Sequence, residues 1–516
     1  MRTLRKLTTT LLLPHPMLTS LLSLSERRLI WLFIGILTVK IGYIVGNGLE
    51  LIGDESYYWD WSRQPDWCYY SKPPMVAWII AVATTLGGSS VESVRLPAAI
   101  LNLLTLVYLY KTTSALYSPK AGCLALLMLI AMPFNVLLGF IMTIDAPLCC
   151  FWAMSLYYLA QALFKQRDKA WLWAGCATGA AVLSKQVALL LPLMVLIFLA
   201  LEQNRRQLLL SRCFFSYLAP VLLSLIPILA WNAEHDWVMY EHSKHHLTQE
   251  VLNLSARASQ AASFIGYQLL LISPLLCVLV ISDSAKRLRH FKQLNAAEQF
   301  LTLTGPVLLA GIFLLNIGQK TQGNWAVPFY FSAIILISGS YSQLKTLPNS
   351  LTNGIKLGLG LVLITYALPL LISVFNLTNS PLDPTSRFKY WRQLATQVDN
   401  YRQQHGQDAF IITLGHRFMT SELAFYLPEQ PQVYRYETTG QIASQYELWP
   451  GPNDPIGHSA YLIVEHKYIP LPKAITNAFE HIQTLGQIEN PLDISNPYHV
   501  LLAQGLKQWP VLSRPD

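Results

Sequence analysis

The chain has 516 residues, 53% of them apolar and only 13% charged, against about 25% charged in an ordinary soluble domain. A deficit of that size over this length excludes a disordered chain and argues against a string of water-soluble domains; the mean hydropathy of +0.35 agrees. The net charge of +8 does not mark a nucleic-acid partner, because the basic residues fall in short gaps between apolar runs, as in an oriented membrane protein.

The first 28 residues hold an apolar stretch that Pro14, His15 and Pro16 interrupt, and no small-residue cleavage site follows. It reads as a cytoplasmic or interfacial tail rather than a removed signal peptide. A spanning helix needs about 20 apolar residues. Candidate runs lie near 29–46, 94–110, 121–141, 146–163, 171–183, 187–201, 213–231, 263–281, 299–318, 325–341 and 355–376. The expectation is therefore a mainly α, polytopic protein with about eleven spans within 29–376. The fifth and sixth runs are short and meet at Ser184-Lys185, the pattern of a tight helical pair. Nineteen Lys and Arg lie on the side of the N-terminal tail. The opposite gaps hold six: Arg63, Lys72, Lys185, Lys244, Arg257 and Lys320. This asymmetry places the N-terminus inside, and the loops 47–93 and 232–262 with the whole tail 377–516 outside. Six of the seven cysteines fall in or beside apolar runs, and there is no CxxC pair; neither a disulfide framework nor a thiolate metal site is expected.

The tail is polar and lacks a run of span length. Short β-type runs at 409–414, 432–436, 461–465 and 498–503 alternate with helix-like stretches at 390–405, 420–426 and 473–485. That alternation predicts a small soluble α/β domain.

Chemistry concentrates in loop 47–93, which contains Gly53-Asp54-Glu55-Ser56-Tyr57-Tyr58-Trp59 and Tyr69-Tyr70-Ser71-Lys72-Pro73-Pro74-Met75. Adjacent carboxylates follow a span inside an aromatic belt. The bland reading is an interfacial loop, since Trp and Tyr favour the headgroup region. Asp145, in a second outside turn between two apolar runs, shifts the balance, because acids at membrane depth are costly and usually functional. Asp54 and Asp145 emerge on the same expected side. A carboxylate in low dielectric near a like charge is suited to take a proton from a hydroxyl, and Lys72 can neutralise a phosphate as a point charge.

Six motifs then occur in order: Gly-Asp-Glu-x-Tyr-Tyr-Trp from Gly53, the segment Tyr69–Met75, Asp145-Ala-Pro, Ala181-Val-Leu-Ser-Lys185, Trp231-Asn-Ala-Glu-His-Asp-Trp237 and Gly323-Asn-Trp-Ala-Val-Pro328. Together they resemble the bacterial members of the protein-mannosyltransferase superfamily, GT-C fold glycosyltransferases similar to those that add aminoarabinose or galacturonic acid to lipid A and core. The likeness covers roughly residues 25–345, and more loosely the tail at Ser421-Glu-Leu-Ala-Phe-Tyr-Leu-Pro428. It implies a bacterial inner-membrane enzyme, facing the periplasm, that draws a polyprenyl-phosphate sugar from the bilayer and inverts the anomeric centre. It implies catalytic roles for Asp54, as general base or as a group that helps to hold a divalent cation, and for Glu55 and Asp145, a donor-phosphate contact for Lys72, and substrate binding by Tyr57, Tyr58 and Tyr70.

Other candidates stand beside plain alternatives. His242 and His245 have the spacing of one face of a metal site for a divalent cation (Mg, Mn or Zn), or of a solvated loop. Lys320 and Asn324 are candidates for donor-phosphate contacts or for an interfacial belt. Lys185 is a functional cation or a snorkelling one. Arg417 and Glu422 are acceptor contacts, or a cap and a solvated face. Lys40 lies inside the first span with no assigned role. As whole-protein readings, a transporter is expected to show paired repeats and mid-span acids, and a sensor does not need carboxylates in two loops. The glycosyltransferase reading leads. Lipid A or lipopolysaccharide is the first choice of acceptor, and a polypeptide hydroxyl or another envelope glycan is the runner-up.

Overall fold

The computed structural model describes residues 22–247, 254–319, 321–380, 383–491, 493 and 495–509, with only the backbone at 245–247 and 254. Lys320 and most of the N-terminal tail lie outside the described residues. The chain divides into two compact units. One comprises Met1–Gly46, Lys72–Val76 and Arg95–Ala367; the other comprises Asn47–Ser71, Ala77–Val94 and Leu368–Asp516.

The first unit is helical. Among the described residues, seven helices are long and apolar enough to cross a membrane, or eight if the bent pair Ser255–Ile272 and Pro274–Arg289 counts as one span. The expected count of eleven is therefore not reached by length, and the reason is local. Run 121–141 is cut after Pro119–Ile130, where Pro133 precedes the five-residue helix Phe134–Leu138. Runs 171–183 and 187–201 become Lys169–Ser184 and Gln186–Leu201, parted at Lys185, whose backbone is extended (φ −163°, ψ 134°). The bend of 108° in the other pair falls at Ser273, held at φ 80° in front of Pro274. Proline lacks the amide that a continuing helix needs and suits the first turn of a new one.

Packing in this unit relies on small residues at crossings. A Cβ on Gly175 would meet the Tyr217 carbonyl oxygen, and one on Gly179 would lie 2.9 Å from that of Pro220. Lys169–Ser184 therefore lies directly on the backbone of Arg212–Glu234. Lys40, buried in the first span, donates to the Asn135 carbonyl at 3.0 Å, and Asn102 donates to the Asn135 side chain at 2.9 Å. This answers the question of what a lysine does inside that helix: it pins the carbonyl of a broken one.

The stretch expected as a loop (47–93) carries two helices, Gly53–Ser62 in the second unit and the apolar Met75–Gly87, which belongs to that unit from Ala77 on. The α/β expectation for the tail holds. Five strands, β1 Phe410–Leu414, β2 Val433–Arg435, β3 Ala460–Glu465, β4 Phe479–Ile488 and β5 Tyr498–Leu506, form one sheet in the order β2-β1-β3-β5-β4. β1 runs parallel to β2 and β3, while β5 is antiparallel to both β3 and β4. Ile412, Leu414, Leu462, Val464, Leu501 and Phe479 build its core. One expectation is corrected. Stretch 473–485 is helical only over Lys473–Ala478; from Phe479 it is strand β4. Its weak helical pattern loses to the ladder that β5 offers, a long-range pairing that the local sequence does not contain.

Candidate active site

In the first unit, three segments distant in sequence bring their polar groups to one point. Asp145 opens the helix Asp145–Phe164, where a carboxylate is favoured by the positive end of the helix dipole. Lys185 stands in the break after Lys169–Ser184, and its Nζ lies 2.8 Å from Asp145 Oδ1; the two side chains are 10% and 13% exposed. Asn324, in the short turn Gly323–Ala326, donates through Nδ2 to Asp145 Oδ2 at 2.5 Å. Each oxygen of one carboxylate thus accepts a hydrogen bond from a different element. The turn that carries Asn324 is itself anchored. Gln268 Nε2 donates to the Gly323 carbonyl at 3.0 Å, Tyr330 donates to Gln268 Oε1 at 3.0 Å, and Asn316 donates to Thr321 Oγ1 at 2.7 Å. Lys72 also belongs to this unit and is half-buried.

In the second unit, Gly53–Ser62 is buried at every position except Asp54, which is half-buried in the first turn. Glu55 accepts at Oε2 from the Ile52 amide at 3.2 Å, which caps the same helix end. Tyr57, Tyr58 and Tyr70 are buried. The Tyr57 hydroxyl accepts from the Gln445 amide at 2.6 Å, the Tyr70 amide donates to Gln445 Oε1 at 2.7 Å, and the Arg417 guanidinium sits 5.5 Å over the Tyr57 ring. Ser56 and Ser421 share a hydrogen bond of 2.9 Å. The aromatics of the motif are thus packed inside this unit, and Glu422 is fully buried beside them on the helix Arg417–Tyr426. Burial raises the Asp60 carboxyl to about 6, against the opposing pull of Arg63 at 3.2 Å and of the Tyr446 hydroxyl at 2.7 Å.

His242 lies on the helix Val238–Leu247, and the side chain of His245 is outside the described residues. Among the described residues no group of three or more His, Cys, Asp or Glu is arranged to hold a metal ion. Lys185 is the member of this cluster to which the sequence gave the least weight. Its signal was a lysine at the junction of two apolar runs too short to be independent spans, on the side poor in basic residues.

Three comparisons bear on this arrangement. Residues 71–231 match the family model of dolichyl-phosphate-mannose-protein mannosyltransferase, a segment that includes Asp145 and Lys185. The fold matches ArnT from Cupriavidus metallidurans in the apo state and bound to undecaprenyl phosphate. In both cases the TM-score is 0.61 at 15% identity, over 95% of this chain and 99% or 100% of that one. The chain has the GT-C glycosyltransferase fold. It is also 26% identical over 316 residues to the lipid A galacturonosyltransferase RgtD of Rhizobium johnstonii, a match that spans 61% of this chain and 65% of that relative. In the GT-C frame, the Asp145 cluster is built from a helix start, a helix break and a turn, all of them irregular points between apolar helices.

Proposed function

We propose that this GT-C protein is an integral membrane glycosyltransferase. It moves a sugar from a polyprenyl phosphate to a hydroxyl or phosphate of a cell-envelope acceptor, lipid A or lipopolysaccharide first, with inversion, at the periplasmic face of the inner membrane. The observation that carries the reading is the Asp145 carboxylate held by Lys185 and Asn324 at the ends of apolar helices, in a chain with this fold. The relatives support it by what they act on: ArnT has been seen with undecaprenyl phosphate, and RgtD is a lipid A galacturonosyltransferase. The Lys and Arg asymmetry of the gaps supports the periplasmic side.

The reaction asks for three things. A base takes the proton of the acceptor hydroxyl, and we assign this to Asp54, the one half-buried member of an otherwise buried helix. The acceptor oxygen attacks the anomeric carbon as the bond from that carbon to the phosphate oxygen breaks, and the electron pair leaves on the phosphate. A cation then stabilises the leaving phosphate; we assign this to Lys72, which as an ammonium acts as a point charge. Both oxygens of Asp145 accept hydrogen bonds, which suits it to position Lys185 and Asn324 against substrate.

The test is transfer from a polyprenyl-phosphate sugar by purified protein in nanodiscs, with Asp54→Asn as the variant. We expect a loss of about 100-fold or more, the scale of one general base; a folded variant with undiminished turnover removes the assignment. Mass spectrometry of lipid A, lipopolysaccharide and envelope proteins from a deletion strain identifies the acceptor. Loss of a sugar-sized mass from none of them overturns the transferase reading.

A further inference from the structure

The second unit contains a cavity of 460 Å3 lined by none of the motif residues discussed above, although Asn47–Glu50 lie just ahead of Gly53. Its lining includes Asn47, Glu50, Ser373, Lys389, Tyr390 and Gln393. The volume is that of a small-ligand site. Ser373 belongs to the last turn of the helix Asn349–Val374, whose apolar window has a mean hydropathy of 2.3. The cavity therefore sits where a spanning helix leaves the apolar layer, at headgroup depth. A second, small cavity of 20 Å3 shares Lys389, Tyr390 and Gln393 and continues along Trp391 and Tyr498. The two flank one short segment of chain.

That segment is fixed from several directions. Glu50 Oε2 accepts the amides of Trp391 and Arg392 at 2.7 and 3.3 Å and so caps the helix Trp391–His405. The Glu50 amide donates to the Phe388 carbonyl at 3.0 Å. Lys389 Nζ lies 2.8 Å from Asp383 Oδ2. Tyr390 is held at φ 75° and its hydroxyl donates to the Asn379 side chain. A non-glycine residue in the left-handed region persists only where its surroundings over-determine it, and such residues cluster at ligand sites.

The lining chemistry selects among ligands. Two side-chain amides, three hydroxyls and a carboxylate belong to the lining residues, together with the Tyr390 and Phe388 rings. A sugar ring needs such a set, hydrogen-bonding groups for its edge and an aromatic surface for its C–H face. The ammonium and the carboxylate each have a partner already, Asp383 for Lys389 and the helix amides for Glu50. The balance suits an uncharged polyhydroxyl group rather than a phosphate.

We propose that this cavity is an acceptor subsite that holds uncharged sugar rings of a membrane-anchored glycan. The assignment to acceptor rather than donor rests on the transferase reading above; the saccharide binding itself does not.

The test uses the full chain in nanodiscs and two cavity-filling variants on different elements, Ser373→Trp and Gln393→Trp. The probes are the oligosaccharide released from lipopolysaccharide by removal of its acyl chains, and undecaprenyl phosphate as the control. Ligand-observed NMR should show oligosaccharide binding to the native protein and a loss of about fivefold or more in whichever variants retain the native melting temperature. Undecaprenyl phosphate binding should stay within about twofold. In transfer assays the acceptor KM should rise about tenfold, with kcat and donor KM held, the effect of blocking a contact that does not reach the reacting bond. Native protein that binds no oligosaccharide, or folded variants that bind it as well as the native chain, overturn the proposal, as does an equal loss of undecaprenyl phosphate. Binding that the variants abolish, in a protein that transfers nothing, leaves the saccharide site standing and removes the transferase reading.

Discussion

Lys185 Nζ lies 2.8 Å from Asp145 Oδ1, across 40 residues of sequence, and both side chains are nearly buried. Removing one member of such a pair leaves a buried charge without its counter-ion, at a cost of roughly 3–5 kcal/mol. If the pair positions substrate, Lys185→Met and Asp145→Asn each lower kcat/KM by about 100-fold or more. The double variant then falls little further than the worse single one, because groups that act as a unit are not additive. Steady-state transfer kinetics on the four proteins check this; additive losses show that the two residues act independently.

Asn324→Asp replaces the Nδ2 donor to Asp145 Oδ2 with a second carboxylate. The variant removes a donor and sets two carboxylates side by side, a loss of roughly 1–3 kcal/mol for the buried group left without its partner. If the cluster positions substrate, kcat/KM should fall about tenfold or more in Asn324→Asp and less in Asn324→Ala, which adds no like charge. Steady-state transfer kinetics check this, and native turnover in a folded Asn324→Asp places position 324 outside the site.

Asp60 makes the second unit sensitive to pH. Its carboxyl is raised by burial from the ordinary 3.8 to about 6, so between those values the folded chain holds a proton that the unfolded chain has released. Stability from this group is fully present below pH 4 and is lost as pH rises through about 6. The fall is of the order of 3 kcal/mol at about 1.4 kcal/mol per pH unit. Burial raises Glu50 and Glu447 in the same direction. Thermal melts at pH 5 and pH 7.5 should show a smaller difference for Asp60→Asn than for the native chain; an equal difference assigns the slope to other groups.

Gly53 precedes Asp54, and a Cβ at that position would collide with the Phe418 ring. Gly53→Ala should push the start of Gly53–Ser62 away from Arg417–Tyr426 and cost about 1–3 kcal/mol, as overpacking does. If Asp54 is the base, kcat should fall as well. Phe418→Ala in the same chain should return part of both losses. Melting temperature and turnover, measured together, check this, and a silent Gly53→Ala shows that the contact yields without cost.

Much of the tail was legible. The β-type runs at 409–414, 432–436, 461–465 and 498–503 correspond to β1, β2, β3 and β5, because apolar and β-branched residues are dense there. β4 was not, since its polar, half-exposed sequence has a strand pattern only beside β5. The site was legible in parts. Asp145 and Asn324 stood out as polar groups at the ends of apolar runs, and the structure joins them. The buried state of Tyr57, Tyr58 and Tyr70 was not, because a Tyr-rich stretch has the same composition in a headgroup belt and in a core.

The shortage of charge, the order of the apolar runs and the sidedness of the basic residues are properties of the chain itself, since each follows from the cost of moving side chains out of water. By themselves they specify a polytopic helical protein. Which polar side chains meet is a different kind of quantity. Asp145, Lys185 and Asn324 come together only because a helix break, a helix start and a turn are brought to one place by the packing of helices far apart in sequence. No local pattern records that contact, so it was decided by tertiary structure alone.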